Sequence, residues 1–223
     1  NTAIGYQALM TQNAGTDGEN VAIGYRAGKA VTTATESVFI GSQAGLAATT
    51  GTGVFIGRRA GQAITTGYRN IAIGADALGF NNTTGADNVA IGDSALRGNN
   101  SSEVNQCVAV GNYVFNNLTA SSATSMFNTG VGHQAGYNVT TGVKNTIVGH
   151  QAANAQTTGS NCTTLGFNAE SSAVDADNEF TLGDANITAL RCADTSIASL
   201  SDGRDKSNVK DSEFGLEFID SIR

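Results

Sequence analysis

The chain has 223 residues, with 28 glycines, no proline, no tryptophan and only 14% charged residues. Its formal net charge of −7 argues against a nucleic-acid partner, because binding to phosphates requires a basic surface. No apolar run approaches the roughly 18 residues of a membrane-spanning helix, so we expect no membrane insertion.

A short motif recurs along residues 1–185, as in "NVAIGYRAG" and "NTIVGHQAA", and each of its eleven copies contains one glycine that we call the anchor glycine. Successive anchor glycines lie 16 to 21 residues apart. They are Gly5, Gly24, Gly41, Gly57, Gly74, Gly92, Gly111, Gly132, Gly149, Gly166 and Gly183. Ile, Val or Leu precedes each of them, and Thr, Val, Ile or Phe lies two residues earlier. This period of two predicts a short strand with both residues on one face.

The residues after each anchor glycine also follow a pattern. Ala stands three positions later in nine of the eleven copies, which predicts a confined interior position. Turns such as "TTGYRN" and "TTGVKN" separate the copies, and we expect their Gly and Asn to supply positive φ angles. A period near 17 fits a β-solenoid with two short strands per coil, stacked ~4.8 Å apart into a rod of about 50 Å. Each coil can bury only a thin row of aliphatic residues, so we expect several chains to share one core.

The "N-[TV]-A-[IV]-G-x-x-A" pattern is similar to the head repeats of YadA-like trimeric autotransporter adhesins, and closer still to the "NTAIGYQAL…TTG…N" arrays of bacteriophage tail fibres. The resemblance covers roughly residues 1–185. It implies an all-β fold: a left-handed parallel β-roll, with three chains side by side about one axis.

Such a resemblance implies a structural virion protein, extracellular, in a tail fibre or spike. Its partners would be two further copies of itself, other tail proteins and a host cell-surface receptor, either a glycan or a surface protein. Receptor binding would use the longer inserts near residues 98–106 and 116–127. Two alternatives stay open: the head of a bacterial trimeric surface adhesin, and the non-catalytic support of a glycan-degrading tailspike.

The pattern changes after residue 185. Asn186 replaces the repeated Ala, and the alternating Ile187 and Ala189 predict a strand or strap connector over residues 186–200. Residues 201–223 then carry 10 of the 31 charged residues of the chain. Within them Phe214, Phe218 and Ile222 recur at every fourth position, which predicts the start of an amphipathic helix.

"S-D-x-R-x-K-x-N" followed by "GLEFI" resembles the start of the intramolecular chaperone domain that ends phage endosialidases, tail fibres and tailspikes. The resemblance implies a domain that assembles the trimer and then cuts itself off between Leu200 and Ser201. Ser201 would be the nucleophile and Lys206 the base that takes its proton, in a single turnover without an external substrate. The other residues that match the motif are Asp202, Arg204 and Asn208. Asp205 departs from it, because the family has an apolar residue there.

Two histidines are weak candidates for a metal or anion site. His133 and His150 each follow an anchor glycine, so they should stack in neighbouring coils and form two rings of imidazoles in a trimer. The same position holds Tyr, Ser, Arg, Asp or Phe in other copies, which favours a tolerant surface position. No carboxylate or cysteine stands at ligand spacing, and we expect neither a bound metal nor a cofactor.

The remaining chemically distinctive residues are few. Cys107, Cys162 and Cys192 are too widely spaced for a disulfide framework or a zinc site, so we expect free buried thiols. Arg58 and Arg59 form an isolated basic pair, which we expect to be solvated.

Overall fold

The computed structural model describes residues 1–13, 18–80, 83–98, 103–119 and 126–191. The chain divides into two compact units, Asn1–Ile187 and Thr188–Arg223. In the first unit, eleven strands form a single parallel sheet in which each strand pairs with its neighbours in sequence. The strands are β1 (Thr2–Ile4), β2 (Val21–Ile23), β3 (Val38–Ile40), β4 (Gly53–Ile56), β5 (Asn70–Ile73), β6 (Val89–Ile91), β7 (Val108–Val110), β8 (Thr129–Val131), β9 (Thr146–Val148), β10 (Thr163–Leu165) and β11 (Phe180–Leu182).

The repeats stack in register, so that the motif of one coil lies on the motif of the next. Val21 pairs with Val38, and Ile23 pairs with Ile40. We number each coil by the strand that begins it. The predicted all-β solenoid is confirmed, and across the described ranges no helix is long and apolar enough to cross a membrane.

Each described coil contains one strand, so the predicted second strand is wrong. The chain turns after the anchor glycine because backbone φ becomes positive at alternate positions, as at Arg26 (55°) and Gly28 (55°). An extended second strand is incompatible with these angles. The turns still bond to the next coil: the N–H of Gly28 donates to the carbonyl of Ala44 at 2.9 Å, and that of Ala30 to Leu46 at 3.2 Å.

The anchor position requires glycine. Gly24 has a φ of 135°, and a Cβ built on it would lie 2.6 Å from the carbonyl oxygen of Gly41 in the next coil. Any side chain there would therefore force stacked coils apart.

Another turn position behaves differently from the prediction. In "TTGYRN" and "TTGVKN" the positive φ belongs to Arg69 (54°) and Lys144 (61°), the residue before Asn, and not to Gly or Asn. Glycine is needed in these turns for space: a Cβ on Gly51 would lie 2.6 Å from the carbonyl oxygen of Gly67.

The core of the single chain is built around two rows of buried positions, and the number of large side chains at and beside them differs from coil to coil. The middle residue of each strand from β2 to β10 is buried, and so is the Ala three positions after the anchor glycine, as predicted. In coil 4 the middle residue is Phe55 and the residue four positions after the anchor is Gly61; in coil 5 the same positions hold Ala72 and Leu78. The same exchange of volume joins Phe39 with Gly45, Ala90 with Leu96 and Ala109 with Phe115.

Asparagines directly before the strands link successive coils. The Asn128 Oδ1 accepts the N–H of Asn145 at 2.8 Å, and its Nδ2 donates to the carbonyl of Gly142 at 2.8 Å. Asn145 repeats the arrangement with the N–H of Cys162 at 2.9 Å and the carbonyl of Gly159 at 2.8 Å. These buried side chains form hydrogen bonds with backbone groups of the turns that lead into the strands.

Cysteine replaces asparagine at two of these positions. Cys107 and Cys162 are free and buried, as predicted, whereas Cys192 lies outside the described residues. Burial raises the pKa of the Cys107 thiol to about 12, because a thiolate loses its hydration there.

Candidate assembly interface

A largely aliphatic stripe runs along the outer face of the sheet, formed by the two residues that flank the buried middle residue of each strand: Val or Ile in β2 to β7, and Thr followed by Val or Leu in β8 to β10. These side chains point away from the core because side chains alternate along a strand. The stripe includes Ile23, Ile71, Ile91, Val108, Val131 and Val148, each of which leaves 36–38% of its surface exposed. The sequence pattern correctly placed the stripe residues on one face, but in the single chain that face is outward.

The sizes of the side chains show what is unusual about the stripe. In β6 the buried middle residue is Ala90, whereas the outward residues are Val89 and Ile91. The smaller side chain thus faces the core and the two larger aliphatic ones face outward, the reverse of a sheet that covers only its own core. The same order holds in β2, β5 and β7. With strands ~4.8 Å apart, eleven strands give this surface a length of about 50 Å.

A row of exposed rings follows the strands, one residue after the anchor glycines. His133 and His150 stack with ring centroids 5.2 Å apart, as predicted, and Phe167 stacks on His150 at 5.3 Å. Tyr6 and Tyr25 form a similar pair at 5.7 Å in the first two coils. His133 also meets the ring of Tyr113 edge-on, with centroids 6.1 Å apart. The part of the chain that the structure describes holds no group of three His, Cys, Asp or Glu able to bind a metal.

Arg58 and Arg59 are ion-paired rather than simply solvated. Both guanidinium groups lie 2.7 Å from the carboxylate of Asp76, which is almost completely buried. The Arg59 guanidinium also lies over the ring of Phe80 at 5.2 Å, and Arg97 lies over the same ring at 4.6 Å. The expectation of a solvated pair holds for Arg58, whose side chain is 54% exposed, but the sequence pattern did not place the facing carboxylate one coil away.

The predicted self-cleavage residues lie outside the described residues: Ser201 and Lys206, with the motif residues Asp202, Arg204 and Asn208. The helix predicted after them lies there too. Of the connector over 186–200, the described residues 186–191 contain no strand. Of the two inserts expected to bind a receptor, residues 99–102 and 120–125 also fall outside the described ranges.

The repeat motif did not reveal that the middle strand residue and the fourth residue after the anchor share one space. The available signal was the exchange of Phe and Gly for Ala and Leu between coils.

Comparison of the chain with protein-family models, curated proteins and solved structures gives no match to any of them.

Proposed function

We propose that three copies of this chain assemble side by side along the aliphatic stripe and form a stiff segment of a phage tail fibre or spike that serves in host attachment. The observation that carries the proposal is the reversed order of side-chain sizes in β2, β5, β6 and β7. A surface of outward Val and Ile over an inward Ala is stabilised when another apolar surface covers it.

Two further copies are the occupants that fit this surface best. Strands β2 to β7 present Val or Ile at both outward positions in one register, and β8 to β10 continue the register with Thr and Val or Leu, so a similar contact repeats along identical chains. Three chains about one axis can turn all their stripes inward and leave no stripe exposed. The family resemblance of the repeats supports the same number.

Mechanical stiffness follows from the hydrogen bonding. Each strand bonds to the strands before and after it, and the turn N–H groups and asparagine side chains bond between coils as well. Bending the solenoid would strain all of these bonds together. Such a segment suits a shaft or an adhesive head that holds receptor-binding loops at a distance.

The residues after 200 extend the proposal to assembly. We infer from the motif that the segment from Ser201 begins a chaperone that helps the three chains to associate and then leaves by cleavage before Ser201. The Ser201 hydroxyl would attack the Leu200 carbonyl while Lys206 takes its proton, and the peptide C–N bond between the two residues would break as that proton passes to the Ser201 amine. Water would then hydrolyse the resulting ester, which releases a chain that ends at Leu200 and a segment that begins at Ser201.

The deciding experiment is the mass of the purified 223-residue chain in solution, measured by light scattering after size-exclusion chromatography. Mass spectrometry of the same sample gives the mass of one chain, which is 22.7 kDa if the chain is uncleaved. We expect the particle in solution to have three times that mass. A monomer at micromolar concentration would overturn the proposal.

A further inference from the structure

Two columns of side chains flank the aliphatic stripe, one on each side of it. Because all the strands are parallel, each column keeps to its own side of the sheet. The leading column consists of residues with positive φ that stand one or two positions before a strand: Glu19, Glu36, Arg69, Asp87, Gln106, Phe127, Lys144, Asn161 and Asn178. The trailing column consists of the residues directly after the anchor glycines and includes Ser42, Arg58, Asp93, His133 and His150. Of the described strands from β2 onward, β4 alone has no leading residue.

A three-fold assembly brings the two columns together. When three chains turn their stripes toward one axis, the leading column of each chain faces the trailing column of the next chain. The side chains that meet at this contact depend on the register between the chains. Successive coils lie ~4.8 Å apart, so one register differs from the next by one such step.

Each column contains one charge that the single chain leaves unbalanced. In the trailing column, Arg58 and Arg59 share the single carboxylate of Asp76, so this group has one positive charge in excess. Arg58 is 54% exposed and reaches Asp76 through Nη2, which leaves its Nε and Nη1 donors for another acceptor. In the leading column Glu36 is exposed, and among the described residues no hydrogen bond or ion pair engages its carboxylate.

Of the three nearest registers, one brings these two charges together. If each trailing residue faces the leading residue of the same strand, Arg58 faces no leading residue and Asp93 meets Asp87. If it faces the leading residue of the following strand, Arg58 meets Arg69. If it faces the leading residue of the preceding strand, Arg58 meets Glu36. The same register places Asp93 against Arg69, so opposite charges meet at both contacts.

The contact between Arg58 and Glu36 is the stronger of the two. Arg69 already donates to Asp87 at 2.8 Å and is hydrogen-bonded to Tyr68, so it adds only a weak attraction for Asp93. Arg58 and Glu36 both keep hydrogen-bonding atoms that no described residue uses, and both side chains are long enough to cross a step of ~4.8 Å.

We propose that in the trimer the Arg58 guanidinium of each chain pairs with the Glu36 carboxylate of the next chain, and that this pair sets the register between the chains. The inference rests on the proposed trimer and names the two different surfaces of identical chains that meet in it. The other two registers place Arg58 against Arg69 or Asp93 against Asp87, so repulsion between like charges disfavours them.

Disulfide cross-linking of the full 223-residue chain tests the register and leaves the proposed pair intact. The background is Cys192→Ser, because the other two cysteines are buried. His150→Cys, after β9, is combined in turn with a cysteine before β8, β9 or β10: Phe127→Cys, Lys144→Cys or Asn161→Cys. The two columns of one chain lie about 15 Å apart at ~3.3 Å per residue, which no disulfide spans, so any link joins two chains. After oxidation we expect linked chains on a non-reducing gel for Phe127→Cys and none for the other two.

A charge reversal tests the pair itself. Glu36→Lys sets a lysine against Arg58, so we expect the protein concentration at which half of the trimer dissociates to rise about tenfold, as measured by light scattering on dilution. Glu19→Lys is the matched comparison, because it makes the same change in the same column but faces Ser42 in the proposed register, and its effect should be much smaller. Added NaCl at 0.5 M should bring the two variants closer together, since salt screens the repulsion.

Links through Lys144→Cys or Asn161→Cys in place of Phe127→Cys would overturn the inference, as would equal weakening by Glu36→Lys and Glu19→Lys. A parent chain that is monomeric would refute the assembly proposal and this inference with it. A stable trimer that links in another register would refute the inference alone and leave the assembly proposal intact.

Discussion

Phe55 fills the space that a side chain on Gly61 would need. A Cβ built on Gly61 would collide with the ring of Phe55, which is completely buried. One coil later the order is reversed: Ala72 leaves room, and Leu78 fills it from the turn. Leu78 has a φ of 49° and Gly61 a φ of 58°, so this turn position accepts either residue.

We expect Phe55→Ala to lower the free energy of unfolding by about 3–5 kcal/mol, since it leaves a cavity in a tightly packed coil. Adding Gly61→Leu should recover a large part of this loss, because it copies the packing of coil 5. Gly61→Leu alone should destabilise the protein by overpacking. Urea denaturation of the three variants measures these changes. A double variant that is no more stable than Phe55→Ala would contradict the exchange of volume.

The buried asparagines that precede the strands and link successive coils, which we call the asparagine ladder, give a second prediction. Asn128→Ala removes the partners of the Asn145 N–H and the Gly142 carbonyl, and each unpaired buried group costs ~1–3 kcal/mol. Asn186→Ala is the control, because the Nδ2 of Asn186 donates to Asp184 at an exposed site and its loss should cost less than about 0.5 kcal/mol. Urea midpoints measured side by side decide the point. If both variants lost the same free energy of unfolding, burial would not make the hydrogen bonds of the asparagine ladder more important for stability.

The aliphatic stripe gives a third prediction, with a pair of valines as probe and control. Val148 lies on the stripe and is 38% exposed, whereas Val174 lies in a turn of coil 10 and is 49% exposed. In a trimer, Val148→Lys would bring three positive charges into one apolar contact, so we expect monomers or a large drop in trimer stability. Val174→Lys should leave the trimer unchanged. Light scattering measures both; dissociation by Val174→Lys alone would place the interface elsewhere.

The repeat motif predicted the architecture because coils stacked in register require the same kind of residue at equivalent positions. Gly24 must be glycine when Gly41 lies directly on it, and that constraint recurs at each anchor from Gly5 to Gly166. The motif predicted less where coils differ. The Phe55–Gly61 exchange and the Asp76 contacts of Arg58 and Arg59 depend on which residues of neighbouring coils meet. Such contacts follow from the register of stacking and not from the period alone.

The ionisation of Cys107 gives a fourth prediction. Its pKa of about 12 in the folded chain lies above its ordinary value of 9.0, so the unfolded chain loses this proton at lower pH. The thiol therefore favours folding at pH values below about 9, and that contribution falls as pH rises from 9 towards 12. The variant Cys192→Ser keeps only Cys107 and Cys162. At pH 8 we expect DTNB to react slowly with this variant in its native state, and to react with both thiols once the chain is unfolded in denaturant. Rapid reaction of both thiols in the native state would contradict their burial.

The self-cleavage proposal gives the fifth prediction, which rests on the motif beginning at Ser201. Mass spectrometry of the expressed chain should show a product that ends at Leu200. Ser201→Ala should abolish this product because it removes the nucleophile, and Lys206→Met should do the same because it removes the base.

Asp205 provides a test of rate within the same experiment. Its carboxylate stands directly before Lys206 in the sequence, and a nearby negative charge favours the protonated amine, which cannot accept a proton. Asp205→Leu restores the apolar residue of the family motif and should speed cleavage, whereas Asp211→Leu, outside the motif, should not. Faster cleavage by Asp205→Leu with none by Ser201→Ala would support both roles. Continued cleavage by Ser201→Ala would instead show that another group, or a contaminating protease, cuts the chain.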